Sequence, residues 1–226
     1  IELYSEEIDW FGVSENQNFN WNIEFIEKYS DFLIWSQISS NESIPWTKDL
    51  IYKFSTNLNF ELLSYNKSIP WSKELLETNK ERWNWNGLSL NYSLPWNFDL
   101  IDEFVENWNW RFLSSNESLP WEKCDFFETY NNKWVTEVIV KNKALPWTIK
   151  FIENNFDKSY FLDIIKNKGH ILDIEFIYSF QNKIYFDSYK KYYPEDTVIL
   201  LLDIWNVLKL YIDDEIIIDT FNKHCN

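Results

Sequence analysis

The sequence has no methionine and few residues of three other kinds: 3 glycines, 2 cysteines and 2 histidines among 226 residues. So few glycines exclude a collagen-like chain, and two cysteines exclude a small domain held by several disulfides. The longest apolar run spans Val198 to Leu202, whereas a membrane-spanning helix needs about 20 apolar residues. Basic residues are also in deficit, 21 against 36 acidic ones. The resulting net charge of −15 disfavours nucleic-acid binding through bulk charge.

The residue types that usually carry chemistry do not cluster in the sequence. His170 and His224 are the two histidines, and neither has further ligands at a zinc-site spacing. No histidine lies near Cys124, so a cysteine–histidine catalytic pair is not indicated. The glycines are isolated and form no phosphate-binding loop. The carboxylates at residues 213–215 are explained better by a solvated helix start than by a catalytic pair. The sequence therefore predicts no enzymatic activity, no metal and no cofactor.

Aromatic residues are abundant instead, and they recur at a fixed interval. The chain has 14 Trp, 13 Tyr and 18 Phe. Six tryptophans, which we call anchors, follow one another at steps of 25, 25, 25, 25 and 26 residues. One more step of 25 reaches Leu172, whose flanking residues resemble those around Trp46. Positions within a repeat are numbered relative to the anchor, which is position 0. The anchors are Trp21, Trp46, Trp71, Trp96, Trp121, Trp147 and Leu172.

An asparagine stands at position −5 of every repeat. Four of these asparagines match the N-glycosylation pattern Asn-x-Ser. The structural interpretation is preferred, because Asn stabilises turns through its amide and because the column persists at Asn142 and Asn167, where no serine follows. We predict that these amides stack and bridge the turn before each anchor. The column comprises Asn16, Asn41, Asn66, Asn91, Asn116, Asn142 and Asn167.

The spacing of apolar residues predicts two short helices in each repeat. Positions 0, +4, +5 and +8 form one apolar stripe on a helix that we call helix A, about nine to twelve residues long. Proline at position −1 is expected in its first turn, where the missing N–H costs nothing. Two kinds of residue are expected to cap this helix: Thr47 and Ser72 at position +1, and the serine at −3 (Ser43, Ser68, Ser93 and Ser118). An acid at +3 suits its dipole. Apolar residues at −11 and −8, as at Trp85 and Leu88, predict a shorter helix B.

Two short helices in every 25 residues predict an all-α fold. The architecture expected is an α-solenoid of about eight repeats, in which neighbours bury each other's aromatic residues. Residues 1–180 are assigned to the tandem repeats and residues 181–226 to a diverged C-terminal capping repeat. One more step of 25 beyond Leu172 reaches Thr197, and the capping repeat keeps Leu201, Leu202 and Trp205 at +4, +5 and +8 from it. A β-solenoid is the alternative, since leucine-rich repeats also have periods in the twenties. Their strand signature is not met.

One complete copy of the pattern reads Trp-Asn-Trp-x-x-Leu-Ser-x-Asn-x-Ser-Leu-Pro-Trp, from Trp83 to Trp96. It resembles the tryptophan-rich short tandem repeats of large-genome viruses and of some bacteria of the Bacteroidota. The resemblance covers residues 8 to about 180 and implies a helical solenoid with no known chemistry. It weakens before Asn142, where Val140 replaces the serine, and again beyond Gly169.

The predicted function is a non-enzymatic scaffold for protein–protein interaction, because solenoids present extended surfaces and residues outside the apolar columns vary between repeats. The partner is expected to be a protein, and the net charge of −15 favours a basic one. The same charge disfavours nucleic-acid binding at the basic and aromatic residues 189–193. The alternatives are an acidic inhibitor (an immunity protein or a DNA mimic) and a structural component that associates end to end. A cytoplasmic location without membrane insertion is expected, since no signal peptide or transmembrane segment is seen.

Overall fold

A computed structural model of the chain describes residues 7–123, 125–157, 160, 163 and 164. Within this part the α-helices are short and no strand is present. For these residues the predicted all-α class is therefore confirmed, and the β-solenoid alternative is wrong. The helices are α1 (Trp10–Glu15), α2 (Ile23–Lys28), α3 (Trp35–Ser40), α4 (Lys48–Lys53), α5 (Phe60–Leu63), α6 (Lys73–Thr78), α7 (Trp85–Leu90), α8 (Phe98–Glu103), α9 (Trp110–Ser115), α10 (Phe126–Thr129), α11 (Thr136–Ile139) and α12 (Ile149–Asn155).

Helices B and A alternate along the chain as the spacing predicts. The odd-numbered helices are helices B, and they begin at position −11 of their repeat. The even-numbered helices are helices A and follow the anchor. Several predicted features lie outside the described residues: Cys124, Cys225, His170, His224, Asn167, Leu172 and the capping repeat at 181–226.

Helix A is shorter than predicted. It has six residues, from +2 to +7, in α2, α4, α6 and α8. Its N-cap is residue +1, whose side chain accepts a hydrogen bond from the backbone N–H at +4. Thr47 Oγ1 accepts from Leu50 at 3.1 Å, and Ser72 Oγ accepts from Leu75 at 3.2 Å. The capping prediction is confirmed at Thr47 and Ser72, but the serines at −3 do not cap helix A, and Ser43 Oγ donates to Asn41 Oδ1 instead. The acid at +3 lies in the first turn of these four helices.

Proline at −1 lies outside helix A, contrary to the prediction. The backbone N–H of Trp46 donates across Pro45 to the carbonyl of Ile44 at 2.8 Å, and the later anchors up to Trp121 make the same bond. This bond closes a three-residue turn. Proline suits the centre of such a turn because its ring fixes φ at about −65°. The turn delays the start of helix A to position +2.

The chain divides into two compact units, Ile1–Pro146 and Trp147–Asn226. Helices α1 to α11 belong to the first unit and α12 belongs to the second. In the second unit, Thr148 caps α12 by accepting from Phe151 N–H at 3.2 Å. The ring of Phe156 lies 5.5 Å from that of Trp147 and 5.9 Å from that of Phe151. These three aromatic rings therefore form a local cluster around α12.

Tryptophans at position −13 join successive repeats in the first unit. The ring of Trp108 lies 4.9 Å from Trp85 and 5.0 Å from Trp96, both of which belong to the preceding repeat. Trp134 contacts Trp110 and Trp121 in the same way, each at 5.0 Å. Indole N–H groups need a partner when they are buried, and Trp108 Nε1 donates to a helix A carbonyl at 3.1 Å. Neighbouring repeats thus share an aromatic core.

Candidate functional site

From Asn41 to Asn142, the position −5 asparagines connect each repeat of the first unit to the one before it, whereas Asn16 is exposed and its Oδ1 accepts from the backbone N–H of Asn18. Asn91 Nδ2 donates to the carbonyl of Ser64 and to the carbonyl of Asn66, both at 3.1 Å. Its Oδ1 accepts from the backbone N–H of Ser93 at 2.9 Å. Its own carbonyl accepts from Trp96 Nε1 at 3.1 Å. Nδ2 of the equivalent asparagines also donates to the preceding repeat: Asn41, Asn66, Asn116 and Asn142.

A serine at position −7 supplies a second connection, which the sequence analysis did not identify. Ser89 Oγ donates to the carbonyl of Trp85 at 2.7 Å and accepts from the backbone N–H of Asn109 at 3.0 Å. Asn109 is the N-cap of α9 in the next repeat. The signal was present in the sequence, because serine recurs at Ser14, Ser39, Ser64, Ser89 and Ser114. All five serines are fully buried.

The four Asn-x-Ser asparagines are buried in the folded repeats. Asn41 and Asn116 are inaccessible to solvent, and Asn66 and Asn91 are at most 4% exposed. A glycan would be attached to Nδ2, the atom that donates to the preceding repeat. The geometry therefore supports the structural role of this column and leaves no space for a glycan in the folded state.

The exposed side of helices A is charged, and many of its charges are paired between neighbouring repeats. Lys48 Nζ lies 2.6 Å from Glu74 Oε2, and Lys73 Nζ lies 2.5 Å from Glu103 Oε2. The hydrogen bond to its glutamate raises the pKa of each lysine, and the bond from Lys48 lowers the pKa of Glu74. Exposed pairs of this kind add little stability. Their effect is to break up the acidic character of this surface.

One tyrosine makes a polar contact between repeats at the edge of the core. Tyr130 is buried, and its hydroxyl donates to Asp102 Oδ1 of the preceding repeat at 2.7 Å. Burial raises the pKa of Tyr130, and the hydrogen bond to the Asp102 carboxylate raises it further. The pair holds α8 close to the turn after α10. We assign it a structural role because Tyr130 is surrounded by the rings of Phe126 and Trp134.

The exposed side of helices B carries apolar and aromatic groups. Phe11 at position −10 is 51% exposed, and Tyr65 at position −6 is 46% exposed. Exposed apolar groups are not confined to this side, since Ile34 and Tyr92 flank helices B and Ile23 and Tyr52 lie on helices A. Residue type varies widely here, since position −6 is occupied by Glu15, Ser40, Tyr65, Leu90, Ser115 and Lys141. We call this surface the helix B surface, defined by positions −10, −9 and −6.

The described part of the chain holds no group of three or more His, Cys, Asp or Glu residues that could bind a metal ion. None of its helices has the length and apolar character that crossing a membrane requires. No protein-family model, curated protein or solved structure matches the chain.

Proposed function

We propose that the chain is a non-enzymatic repeat scaffold that binds a protein partner through the helix B surface. The observation that carries this proposal is the contrast between a constant interior and a variable exterior. The buried Asn and Ser columns make the same hydrogen bonds from one repeat to the next. Exposed apolar residues such as Phe11 and Tyr65 lie on the outside of this constant interior. Exposed aromatic groups are typical of protein interfaces.

The scaffold is proposed to be an α-solenoid of about eight repeats, with residues 181–226 as its cap. Its support is the interval of the bonds between repeats: Ser to N-cap bonds span 20 residues and Asn to carbonyl bonds span 25 or 27. Such nearest-neighbour contacts are the defining property of a solenoid. The same pattern supports membership among the tryptophan-rich short tandem repeats.

An acidic inhibitor or DNA mimic is less well supported by the surface charges. Such a protein would present an uninterrupted stripe of carboxylates, and the acidic side chains that could form one lie on helices A. Lysines of neighbouring repeats pair with these acids, for example Lys53 with Glu27 at 2.6 Å and Lys48 with Glu74 at 2.6 Å. The scaffold proposal needs no acidic stripe, because apolar anchors supply most of the affinity in such interfaces.

The test is capture of partners from the native source by the immobilised chain, identification by mass spectrometry, and calorimetry with the purified partner. A scaffold with aromatic anchors should lose less than about tenfold in affinity between about 50 and about 500 mM salt. An affinity that collapses over this range would favour the acidic inhibitor. End-to-end association of the chain with itself, without another partner, would favour a structural assembly.

A matched pair of variants locates the binding surface. Tyr65→Ser removes an exposed ring from the helix B surface, and Tyr52→Ser removes one from helix A. We expect the first variant to weaken partner binding by about tenfold and the second to leave it within about twofold of wild type. The opposite order would place the interface on helices A.

A further inference from the structure

Three exposed positions are apolar together where α1 meets α3. Phe11 at position −10, Phe32 at −14 and Ile34 at −12 are 51%, 42% and 37% exposed. We call these three residues the α1–α3 patch. In the later repeats the same positions are polar, except for the less exposed Val135 at −12. The polar residues are Ser36, Glu61, Asn86, Arg111 and Glu137 at −10, Asn57, Arg82, Asn107 and Lys133 at −14, and Asn59, Asn84 and Asn109 at −12.

The α1–α3 patch is continuous across two repeats. The ring of Phe32 stacks on that of Trp10 in α1, with 5.3 Å between their centroids. Positions −12 and −10 of successive repeats also lie in contact, since Asn109 Nδ2 donates to Asn86 Oδ1 at 2.7 Å. By this register Ile34 at −12 lies beside the −10 phenylalanine of α1. Adjacent exposed apolar groups of this kind mark interaction sites.

Ile34 occupies a position where asparagine would stabilise the fold. At Asn59, Asn84 and Asn109 the side-chain oxygen accepts from the backbone of the helix that follows, whereas α3 has no side-chain cap. Because N-cap side chains stabilise helices, isoleucine here gives up a stabilising bond and exposes apolar surface as well. Neither effect serves the fold, and contact with a partner accounts for both.

The surroundings of the patch are acidic. Residues 1–47 contain nine acidic residues and one basic residue, Lys28, which belongs to helix A. Asp9 at the N-cap of α1, Glu15 at its end and Asp31 beside the patch are exposed. Within the described residues none of these three carboxylates forms an ion pair. Charge complementarity therefore favours a cationic partner, and a second copy of this chain would bring charge of the same sign.

We infer that the α1–α3 patch binds a basic segment of the protein partner, in which apolar side chains are flanked by lysine or arginine. The apolar side chains cover the patch, and the flanking cations pair with Asp9, Glu15 and Asp31. This inference rests on the proposed scaffold function, because the patch includes Phe11 of the helix B surface. It names the chemistry that the partner must offer.

The first experiment measures the binding of dye-labelled peptides by fluorescence anisotropy. The probe has a Leu-Phe-Leu core with two basic residues on each side. One comparison peptide has the same core between glutamates, and the other has the same basic flanks around three serines. We expect the probe to bind at least about tenfold more tightly than either comparison. Equal binding of the serine peptide would show attraction by bulk charge alone and would overturn the inference.

Ile34→Asn tests the patch without damage to the fold, because it removes the apolar side chain and supplies the cap that Asn59 provides in the next repeat. We expect it to weaken binding of the probe at least about fivefold, with a melting temperature at or above that of wild type. Tyr92→Ser is the matched control, since it removes a ring that is 54% exposed outside the patch. It should keep the affinity within about twofold of wild type.

Two results with Ile34→Asn would overturn the inference. Unchanged binding of the probe would show that the peptide binds elsewhere. A lower melting temperature would show that Ile34 serves the packing of the fold.

The second experiment repeats the measurement with the partner captured from the native source. We expect Ile34→Asn to weaken the partner about tenfold, and the double variant Glu15→Gln, Asp31→Asn to weaken it about threefold. A partner that loses affinity for Tyr65→Ser and keeps it for Ile34→Asn would overturn the patch and leave the scaffold function standing. Binding of the probe at the patch with no captured protein would overturn the scaffold function alone.

Discussion

The carboxamide at position −5 is suited to its place because it is both a double donor and an acceptor. Asn91 Nδ2 donates to two carbonyls of the preceding repeat, and its Oδ1 accepts from the Ser93 N–H. Among side chains of this length, only asparagine offers both functions on one planar group. Serine and threonine lack the second donor hydrogen, and aspartate has none when it is ionised. This requirement explains why the residue does not vary from Asn41 to Asn142.

The substitution Asn91→Asp should therefore destabilise the fold strongly. The ionised carboxylate would place a negative oxygen against two carbonyl oxygens, in a site that is 4% exposed. We expect the free energy of unfolding at neutral pH to fall by about 3 kcal/mol or more, since two buried bonds are lost and a charge is left unpaired. Urea unfolding followed by tryptophan fluorescence measures this change.

The control is Asn132→Asp, which makes the same chemical change on an exposed turn. It should alter the unfolding free energy by less than about 0.5 kcal/mol. Similar losses in the two variants would mean that added negative charge, and not the buried amide, is responsible.

Tyr130 gives the fold a measurable sensitivity to alkaline pH. Its folded-state pKa is raised above the ordinary value of 10.0, first by burial and then by the hydrogen bond to Asp102. The stability that this residue contributes is complete below pH 10 and declines above it, because the unfolded chain then releases the phenol proton while the folded chain retains it. Urea unfolding between about pH 8 and pH 11 should show the advantage of wild type over Tyr130→Phe shrinking above pH 10. A constant difference across that range would contradict the assignment.

At the scale of the element, six-residue helices depend on their caps. A helix this short is not stable alone in water, so its stability depends on the hydrogen bond that Leu75 N–H donates to Ser72 Oγ. We expect Ser72→Ala to lower the unfolding free energy by about 1 kcal/mol. Ser72→Asn should stay near wild type, since Asn97 caps α8 in the same way. Calorimetric melting distinguishes the two variants, and equal losses would show that the cap bond is not the cause.

The helices themselves were predictable because their signals are local. Apolar spacing, N-cap residues and the acid at +3 all act within one turn, and each of these marks helix A correctly at Thr47 and Ser72. Proline was misplaced because the pattern Pro-Trp suits a helix start and a tight turn equally well. The bond from Trp46 N–H to the Ile44 carbonyl selects the turn, and the helix loses its expected first residues as a result.

The contacts between repeats were less predictable, since periodicity shows which columns matter but not which atoms meet. The serine column was visible, yet nothing in one repeat indicates that Ser89 accepts from Asn109, 20 residues away. A recess between α9 and α11 likewise combines Ser115 of one repeat with Val138 of the next. Such a pairing has no signature of its own in a sequence.

At the scale of the molecule, the tryptophans at position −13 should couple the stability of each repeat in the first unit to that of its neighbours. Trp108 lies against Trp85 and Trp96 of the preceding repeat. Trp108→Ala should cost about 3–5 kcal/mol and reduce hydrogen-exchange protection mainly in α7 to α9, while α1 to α3 keep theirs. Exchange measured by mass spectrometry locates the loss. Uniform loss from α1 to α11 would show one indivisible folding unit.

Trp108→Leu is the matched comparison, because leucine already occupies the same position at Leu33 and Leu58. It keeps an apolar group in the contact between the two repeats. Its free energy of unfolding should fall by about 1–3 kcal/mol relative to wild type, less than that of the alanine variant. A leucine variant as damaged as the alanine variant would mean that the indole Nε1 bond to the Ile101 carbonyl outweighs the packing.

The asparagine bonds have one more consequence, because they end on backbone carbonyls, which every residue type possesses. One 25-residue repeat could be deleted or duplicated, and each position −5 asparagine would still donate to a backbone carbonyl of its new neighbouring repeat. The 26-residue step after Trp121 shows that one added residue is tolerated, although α10 is then only four residues long and begins at position +5. The number of repeats can therefore change without loss of the asparagine bonds, and the exposed side chains can change independently of that number.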